Sequence, residues 1–372
     1  MASITTDQYF DNVDVLEVRH LRNIDYAFLN LSSSVNVILG LNGAGKSTLC
    51  EAFSILFHAR SYRPSSAFAT LTKENSHGFQ VNARLSTSYS STRIKMSKPL
   101  GSSWEVTRDD EDVNRLQSIT VLTPLLIMSP DVDNIVDTDP AGRRKVMDWL
   151  MFHVEHSYAD THKRYSYALK QRNQLLKSRD ASAEEMNSWT QELCNAAEDL
   201  NTKRVEILKK VNDFFHKSLF GTPFNGAQLV LDSGWDQSKA LSECLEEKRF
   251  VERQRKTTLS GPHRADLIIQ KQDGTLVKSY LSRGEKKRLS LLINLSFVAY
   301  LREVLGKKTI LIIDDWHAEL DVQGRQMVVD LVQDLGLQVI LTTTDVDPEI
   351  NMPSGSKMFH VEHGEIKSET AY

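Results

Sequence analysis

The run Gly40-Leu41-Asn42-Gly43-Ala44-Gly45-Lys46-Ser47-Thr48 carries the most specific chemistry in the chain, fitting G-x-x-x-x-G-K-[ST] from Gly40 to Ser47. Glycines at this spacing let successive backbone N–H groups turn toward one anion, and a helix opening at Lys46 adds its positive end. In that arrangement Lys46 reaches the outer phosphates of a nucleoside triphosphate and the Ser47 hydroxyl ligates Mg²⁺. The motif requires a strand before it and a helix after it. Val35, Val37 and Leu39 alternate as a strand does, and an apolar helical pattern runs from Lys46 to His58.

A second centre lies at Thr309-Ile310-Leu311-Ile312-Ile313, an apolar run that ends in Asp314-Asp315. Such a strand is buried on both faces of a parallel sheet, and ligands bind at the carboxyl edge of that sheet. Asp314 is then expected to partner Mg²⁺ together with Ser47. Asp315 is expected to orient or deprotonate attacking water, because a base must stand within hydrogen-bond reach of it. Lys46, Asp314 and Asp315 form the expected catalytic set.

These residues need elements to position them. Strand character covers residues 13–40 and 79–125, helical character covers 139–220, and alternation of the two resumes after Ser260. Asp139-Pro140 reads as a capped helix start, and Ser182-Ala183-Glu184-Glu185 as a capping box. Beyond it Met186, Trp189, Leu193, Ala196, Leu200, Ile207, Val211 and Phe214 recur at steps of three and four, broken near Lys203 and ended by Gly221 and Pro223. The spacing predicts a helix of about 38 residues, its seam packed within an antiparallel arm. The expected fold class is α/β, a head assembled from residues 1–130 and 257–372 with a helical arm, 131–256, inserted between them.

Composition sets outer limits. The 372 residues carry a formal net charge of −4, with 40% hydrophobic and 25% charged side chains, which excludes a disordered or collagen-like chain. No apolar run reaches the roughly 18 residues of a membrane span, and the uncharged stretch 289–301 reads as a buried helix. Asp7, Asp11 and Asp14 interrupt the first residues, unlike a signal peptide. Cys50, Cys194 and Cys244 are far apart, which argues against a zinc site or disulfide framework and fits a reducing compartment. His153, His156 and His162 lack metal-ligand spacing and are expected at the surface. Any nucleic-acid surface must be local. The basic runs are Arg143-Arg144-Lys145, Lys163-Arg164, Lys203-Arg204, Lys209-Lys210, and Lys248-Arg249 through Arg253, Arg255 and Lys256.

Leu281-Ser282-Arg283-Gly284-Glu285 resembles the signature turn of ATP-binding-cassette ATPases, and Glu319-Leu320-Asp321 resembles their D-loop. Val18-Arg19-His20-Leu21-Arg22-Asn23-Ile24 resembles the opening of the RecF/SMC branch. Pro130, the segments 142–148 (GRRKVMD), 169–173 (LKQRN) and 260–266 (SGPHRAD), and the tail 357–364 (KMFHVEHG) resemble the RecF family itself, in family order along nearly the whole chain. The resemblance implies a P-loop ABC-type ATPase head with ATP and Mg²⁺ as cofactors. It implies that ATP joins two copies head to tail, held by residues 40–48 of one and by Ser282, Arg283, Gly284 and Asp321 of the other. It further implies a bacterial, cytoplasmic, nucleoid-associated protein that acts on DNA at single-strand/double-strand gaps. Partners of RecO and RecR type, RecA loading, recombinational repair and the SOS response follow from the same resemblance, as do Arg143 and Arg144 as DNA contacts.

The chain departs from the cassette pattern in three places. Leu126 stands where the Q-loop glutamine is expected. Gln338-Val339-Ile340-Leu341-Thr342-Thr343-Thr344-Asp345 supplies hydroxyls and a carboxylate but no switch histidine, and Asp315 is shorter than the usual glutamate. Slow, DNA-stimulated ATP hydrolysis is therefore expected, with a nucleotide-gated scaffold of little or no hydrolysis as the alternative. A transporter ATPase subunit would carry the missing glutamine and histidine. An SMC-type chromosome protein would need a far longer coiled coil than the span from Lys46 to Asp314 allows.

Overall fold

The computed structural model describes residues 9–63, 68–113, 116, 119, 122–129, 134–155, 157–178, 180, 182–219, 222–306 and 308–371. Pro130, His156 and Gly221 lie outside the described residues. Two compact units divide the chain, residues 1–134 with 301–372, and residues 135–300. Residues 257–300, placed by the sequence with the head, thus fold in the same unit as the arm.

The first unit begins with β1 (Asn12–Leu21), β2 (Ile24–Asn30), β3 (Val35–Leu39), α1 (Lys46–His58), α2 (Phe68–Leu71), β4 (Gly78–Ser86), β5 (Ser91–Pro99), β6 (Glu105–Arg108), β7 (Glu111–Asp112) and β8 (Leu125–Met128). An antiparallel sheet of order β2-β1-β4-β5-β6-β7 buries one face, because Val13, Leu16, Val18 and Leu21 on β1 and Phe79, Val81, Ala83 and Leu85 on β4 point the same way. Apolar residues on nearly every side of α1, from Leu49 to Phe57, complete that core.

The second unit holds α3 (Pro140–Val154), α4 (Tyr158–Lys177), α5 (Ala183–Ser218), β9 (Ala227–Asp232), α6 (Leu241–Glu247), α7 (Arg249–Arg255), β10 (Asp266–Lys271) and most of α8 (Arg283–Leu305). Asp139 caps α3 by accepting from Gly142 N at 2.7 Å, and Ser182 with Glu185 forms the reciprocal capping box of α5. Helix α5 has 36 residues and runs antiparallel to α4, with Thr161 bonded to Asp199 and Arg164 to Glu192. Its seam residues Met186, Leu193, Ala196, Leu200, Ile207 and Val211 are buried. The break near Lys203 is filled by Arg204, buried to 3% exposure and donating to Tyr158 Oη, Pro262 O and Asp148 Oδ1.

Segment 260–266 organises this unit. Gly261, at φ +130°, faces Tyr165, and His263 bonds Tyr165 Oη through Nδ1 at 2.6 Å and Thr258 O through Nε2 at 3.0 Å. Arg172 reaches Glu252 at 2.7 Å and Thr258 Oγ1 at 2.8 Å in the same interior. Each buried arginine here finds a carboxylate, as a buried charge must.

The chain then supplies β11 (Ile310–Ile313), α9 (Trp316–Glu319), α10 (Val322–Leu335), β12 (Gln338–Thr343), β13 (Lys357–Glu362) and β14 (Glu365–Ala371) to the first unit. They complete a sheet of order β14-β13-β3-β12-β11-β8, parallel except for β14. Every residue of β11 and β12 is buried, and β11 shows the continuous apolar pattern of a central parallel strand.

Candidate nucleotide site

The site stands at the carboxyl edge of that sheet. Gly40 follows β3 and keeps its backbone in register, its N–H donating to Thr343 O at 3.2 Å. A Cβ on Gly40 would lie 2.3 Å from the carbonyl oxygen of Val361, so only glycine fits. The loop then turns through Gly43 at φ +81° and Gly45 at φ +115°. Gly45 precedes α1 without a side-chain cap, which leaves the first N–H groups of the helix facing the cleft.

Two outside residues hold the loop. Asn23, between β1 and β2, donates from Nδ2 to Gly43 O and accepts the Thr48 hydroxyl, both at 3.0 Å. Gly364, in the β13–β14 turn, donates its N–H to Ala44 O at 2.8 Å. The family-like tail 357–364 is therefore a buttress of the nucleotide loop. Leu41 and Asn42 form the exposed tip.

Lys46 is buried and its ammonium donates to Gly40 O at 2.6 Å and Leu41 O at 3.1 Å. Burial lowers its pKa, while the charges of Asp315 and Asp314 oppose that shift. Ser47 Oγ donates to Asp314 Oδ1 at 3.0 Å, bringing together the two groups expected at Mg²⁺. A hydroxyl and a carboxylate oxygen are the hard donors that Mg²⁺ prefers, so this pair fits the metal.

Asp314 is 3% exposed and its carboxylate is surrounded by hydroxyls. Thr342 Oγ1 donates to Oδ1 at 2.6 Å and Tyr62 Oη donates to Oδ2 at 2.7 Å. Burial, and then the neighbouring Cys50 and Asp314, raise the Tyr62 pKa, which keeps the phenol a donor. Asp315 lies in the left-handed region at φ 55°, a conformation that aspartate tolerates better than most residues, and its N–H donates to Thr342 Oγ1 at 2.7 Å. Arg22, Asn23, Asn42, Gly43, Gly45, Lys46, Ser47, Thr48, Arg63, Asp314, Asp315 and Thr342 line one cleft.

Sequence reasoning missed Tyr62, and read Thr342 only as one hydroxyl of a threonine-rich run, without its partner. Neither belongs to a motif, and only the strand order β3-β12-β11 puts Thr342 beside Asp314. Leu126 also needs correction. It pairs with Leu311 inside β8, whereas Asp314 N bonds Met128 O, so the strand end level with the site is at Met128 and Ser129. No histidine follows β12, but His317 on α9 reaches Thr343 Oγ1 at 2.6 Å, at that strand's carboxyl end.

The signature turn belongs to the other unit. Ser282, Arg283 and Gly284 are exposed at the start of α8; Ser282 and Glu285 form a capping box, Ser282 N–H donating to the carboxylate at 2.8 Å and Glu285 N–H to Ser282 Oγ at 3.4 Å, and the Ser282 hydroxyl also donates to the carboxylate at 2.6 Å. Those hydrogen bonds hold the Glu285 carboxyl below its usual range. Asp321 caps α10, accepting from Gly324 N at 2.8 Å.

Of the expected DNA pair, Arg143 is corrected. Arg143 is 6% exposed, gives Nε and Nη2 to Asp266 at 2.7 and 2.8 Å, and gives Nη1 to Thr138 O. All its donor positions face inward, so it is an internal tie and not a phosphate contact. Arg144 is half-buried and donates to Ala265 O at 2.5 Å. His162 is half-buried, packing edge-on against the exposed Phe152 with Asp148 at 3.8 Å.

The RecF/RecN/SMC N-terminal domain family matches residues 12–367. The protein named DNA replication and repair protein RecF of Vibrio parahaemolyticus is 31% identical over 357 residues, covering 95% of this chain and 98% of its own length. Its namesake in Chromohalobacter salexigens is 32% identical over 363 residues, covering 94% and 97%. Among solved structures, one described as the recombination mediator protein RecF-ATPrS in the RecFOR pathway superposes with a TM-score of 0.82 at 23% identity, over 98% of this chain and 99% of that one. The Smc head domain of Pyrococcus furiosus, solved with the C-terminal domain of ScpA, gives 0.56 at 15% identity over 97% and 96%. The α/β fold is thus that of ABC-type ATPase heads with a helical arm. By its matched length and its relatives, the chain belongs to the RecF family.

Proposed function

We propose that the protein is an ATP-dependent DNA-binding clamp of replication and repair. ATP joins two copies head to tail on DNA at gaps. The observation that carries this reading is the meeting of the uncapped α1 N-terminus, Lys46, and the Ser47–Asp314 pair in one cleft. Lys46 would exchange the carbonyls of Gly40 and Leu41 for outer phosphate oxygens. Ser47 and Asp314 would hold Mg²⁺, which supplies charge neutralisation at the phosphates. Asp315 would orient water, and the exposed Ser282, Arg283 and Gly284, with Asp321, would complete the site from the second copy.

The relatives' name supports a role in DNA replication and repair. RecA loading, the SOS response, partners of RecO and RecR type, and residence in the bacterial cytoplasm at the nucleoid complete the proposal. Among the described residues no helix is long and apolar enough to cross a membrane. Hydrolysis is slow and stimulated by DNA. A second reading, a nucleotide-gated scaffold with little or no hydrolysis, is favoured by the absence of glutamine from residues 124–134.

Sedimentation with and without ATP and gapped DNA tests the proposal on wild type and Lys46→Ala. A wild-type dimer that needs ATP, lost in Lys46→Ala, is expected. Unchanged nucleotide affinity and dimerisation in Lys46→Ala would overturn the site. Phosphate release by the wild type separates the two readings.

A further inference from the structure

Tyr62 meets the nucleotide site from a stretch of chain outside any motif. Helix α1 ends where Ala59 turns left-handed at φ 52°, and residues 60–63 fold back along the helix. Two fully buried side chains of α1 fix that return. Ser54 Oγ donates to Arg60 O at 2.8 Å, and Glu51 accepts the Ser61 hydroxyl together with Nε and Nη2 of Arg22. The Arg63 N–H then donates to Ser61 Oγ at 3.0 Å, so the residues on both sides of Tyr62 are tied. The Tyr62 ring packs against the apolar core of the unit, with its hydroxyl on Asp314 Oδ2 at 2.7 Å.

Asp314 needs such a restraint. Ser47 and Thr342 both donate to its Oδ1, and Tyr62 donates to the other oxygen. Lys46 and Arg63 line the same cleft, and a carboxylate released at Oδ2 would be drawn toward either cation. A neutral phenol orients the carboxylate and leaves its charge intact for a metal. Mg²⁺ demands near-ideal octahedral geometry, and the hydrogen-bonded partners of its ligands set their orientation.

We propose that Tyr62 is a positioning residue for the metal, its phenol holding the Asp314 carboxylate with Oδ1 toward Ser47, the orientation that takes Mg²⁺ together with nucleotide. This rests on the reading of Ser47 and Asp314 as the Mg²⁺ pair. It adds a residue that acts through Asp314 and touches neither nucleotide nor metal. The ring alone would serve packing. Tyr62→Phe separates the two roles, because it keeps the ring on the core and removes only the hydroxyl.

The test uses the full chain and a fluorescent ATP analogue, its affinity measured in EDTA and across a Mg²⁺ series. In wild type Mg²⁺ is expected to tighten binding, and Asp314→Asn is expected to lose that response. Tyr62→Phe should raise the Mg²⁺ concentration needed for half of the effect about tenfold, the usual cost of losing an outer partner of a metal ligand, with little change in EDTA. In the Asp314→Asn background Tyr62→Phe should add nothing, because the phenol acts through that carboxylate. An unchanged Mg²⁺ requirement in Tyr62→Phe would overturn the proposal. So would an equal loss of affinity in EDTA and in Mg²⁺, or a further loss in the double variant, either of which would make Tyr62 a support of the fold and not of the metal ligand. A wild type indifferent to Mg²⁺, or an Asp314→Asn variant that keeps the wild-type response, would overturn the metal pair itself and this role with it. A response lost in Asp314→Asn and unchanged in Tyr62→Phe counts against Tyr62 alone.

Discussion

Thr342 donates its hydroxyl to Oδ1 of Asp314 at 2.6 Å. Its hydroxyl oxygen also accepts the N–H of Asp315 at 2.7 Å, so one β12 side chain sets both acidic residues after β11. A hydroxyl can do this because it donates and accepts at once. Thr342→Val keeps the shape and removes both bonds. ATP turnover is expected to fall at least about tenfold, the loss of one hydrogen bond to a charged group, with Thr342→Ser recovering most of it. Steady-state phosphate release decides this, and turnover in Thr342→Val equal to wild type would refute it.

Asp315→Asn separates assembly from hydrolysis. Asparagine also tolerates the left-handed backbone found at φ 55°, so the fold should be retained while the water-orienting charge is lost. The ATP-bound dimer should persist and release DNA more slowly. Ser282→Arg should do the reverse, a bulky cation on the exposed signature turn blocking the second copy. Equal monomer fractions of the two variants in sedimentation with ATP would contradict the scheme.

Arg143→Ala is expected to damage stability. It leaves Asp266 partly buried without its bidentate partner, a change that costs about 3–5 kcal/mol. Arg143→Met with Asp266→Leu should recover much of the loss, because it removes both charges. Urea unfolding measures this. A fully stable Arg143→Ala with a flatter salt dependence of DNA binding would restore Arg143 as a phosphate contact.

His263 predicts an acid limb of stability. Burial holds its imidazole down to about 4, against the Thr258 carbonyl and with the help of the Arg264, Arg144 and Arg172 charges. The unfolded chain therefore binds the proton first, near pH 6.5. Its contribution is complete above about pH 6.5 and lost as pH falls toward the folded value, a ceiling of about 3 kcal/mol. Urea midpoints at about pH 7.5 and about pH 5 should drop more in wild type than in His263→Gln. Equal drops would remove His263 as the cause.

Local chemistry made much of this protein legible in its sequence. The bounds of α1, the capping box at Ser182, the apolar strand before Asp314 and the seam of α5 each follow from propensity, periodicity or capping within a short window. The nucleotide loop was legible for the same reason, since its glycines and Lys46 are consecutive. What tertiary structure alone decided is the partner of each charge. Arg143 and Arg204 stand in basic runs that could face a nucleic acid, and Arg172 in a family-like segment, yet each meets a carboxylate distant in sequence, at Asp266, Asp148 and Glu252 respectively. Arg253 and Lys256, alike in type, meet none among the described residues. Tyr62 and Thr342 reach Asp314 only because the sheet places β12 beside β11 and the chain after α1 returns to the same edge. A side chain's type fixes what it can bond to, but pairing across long separations depends on chain topology, which no local pattern encodes.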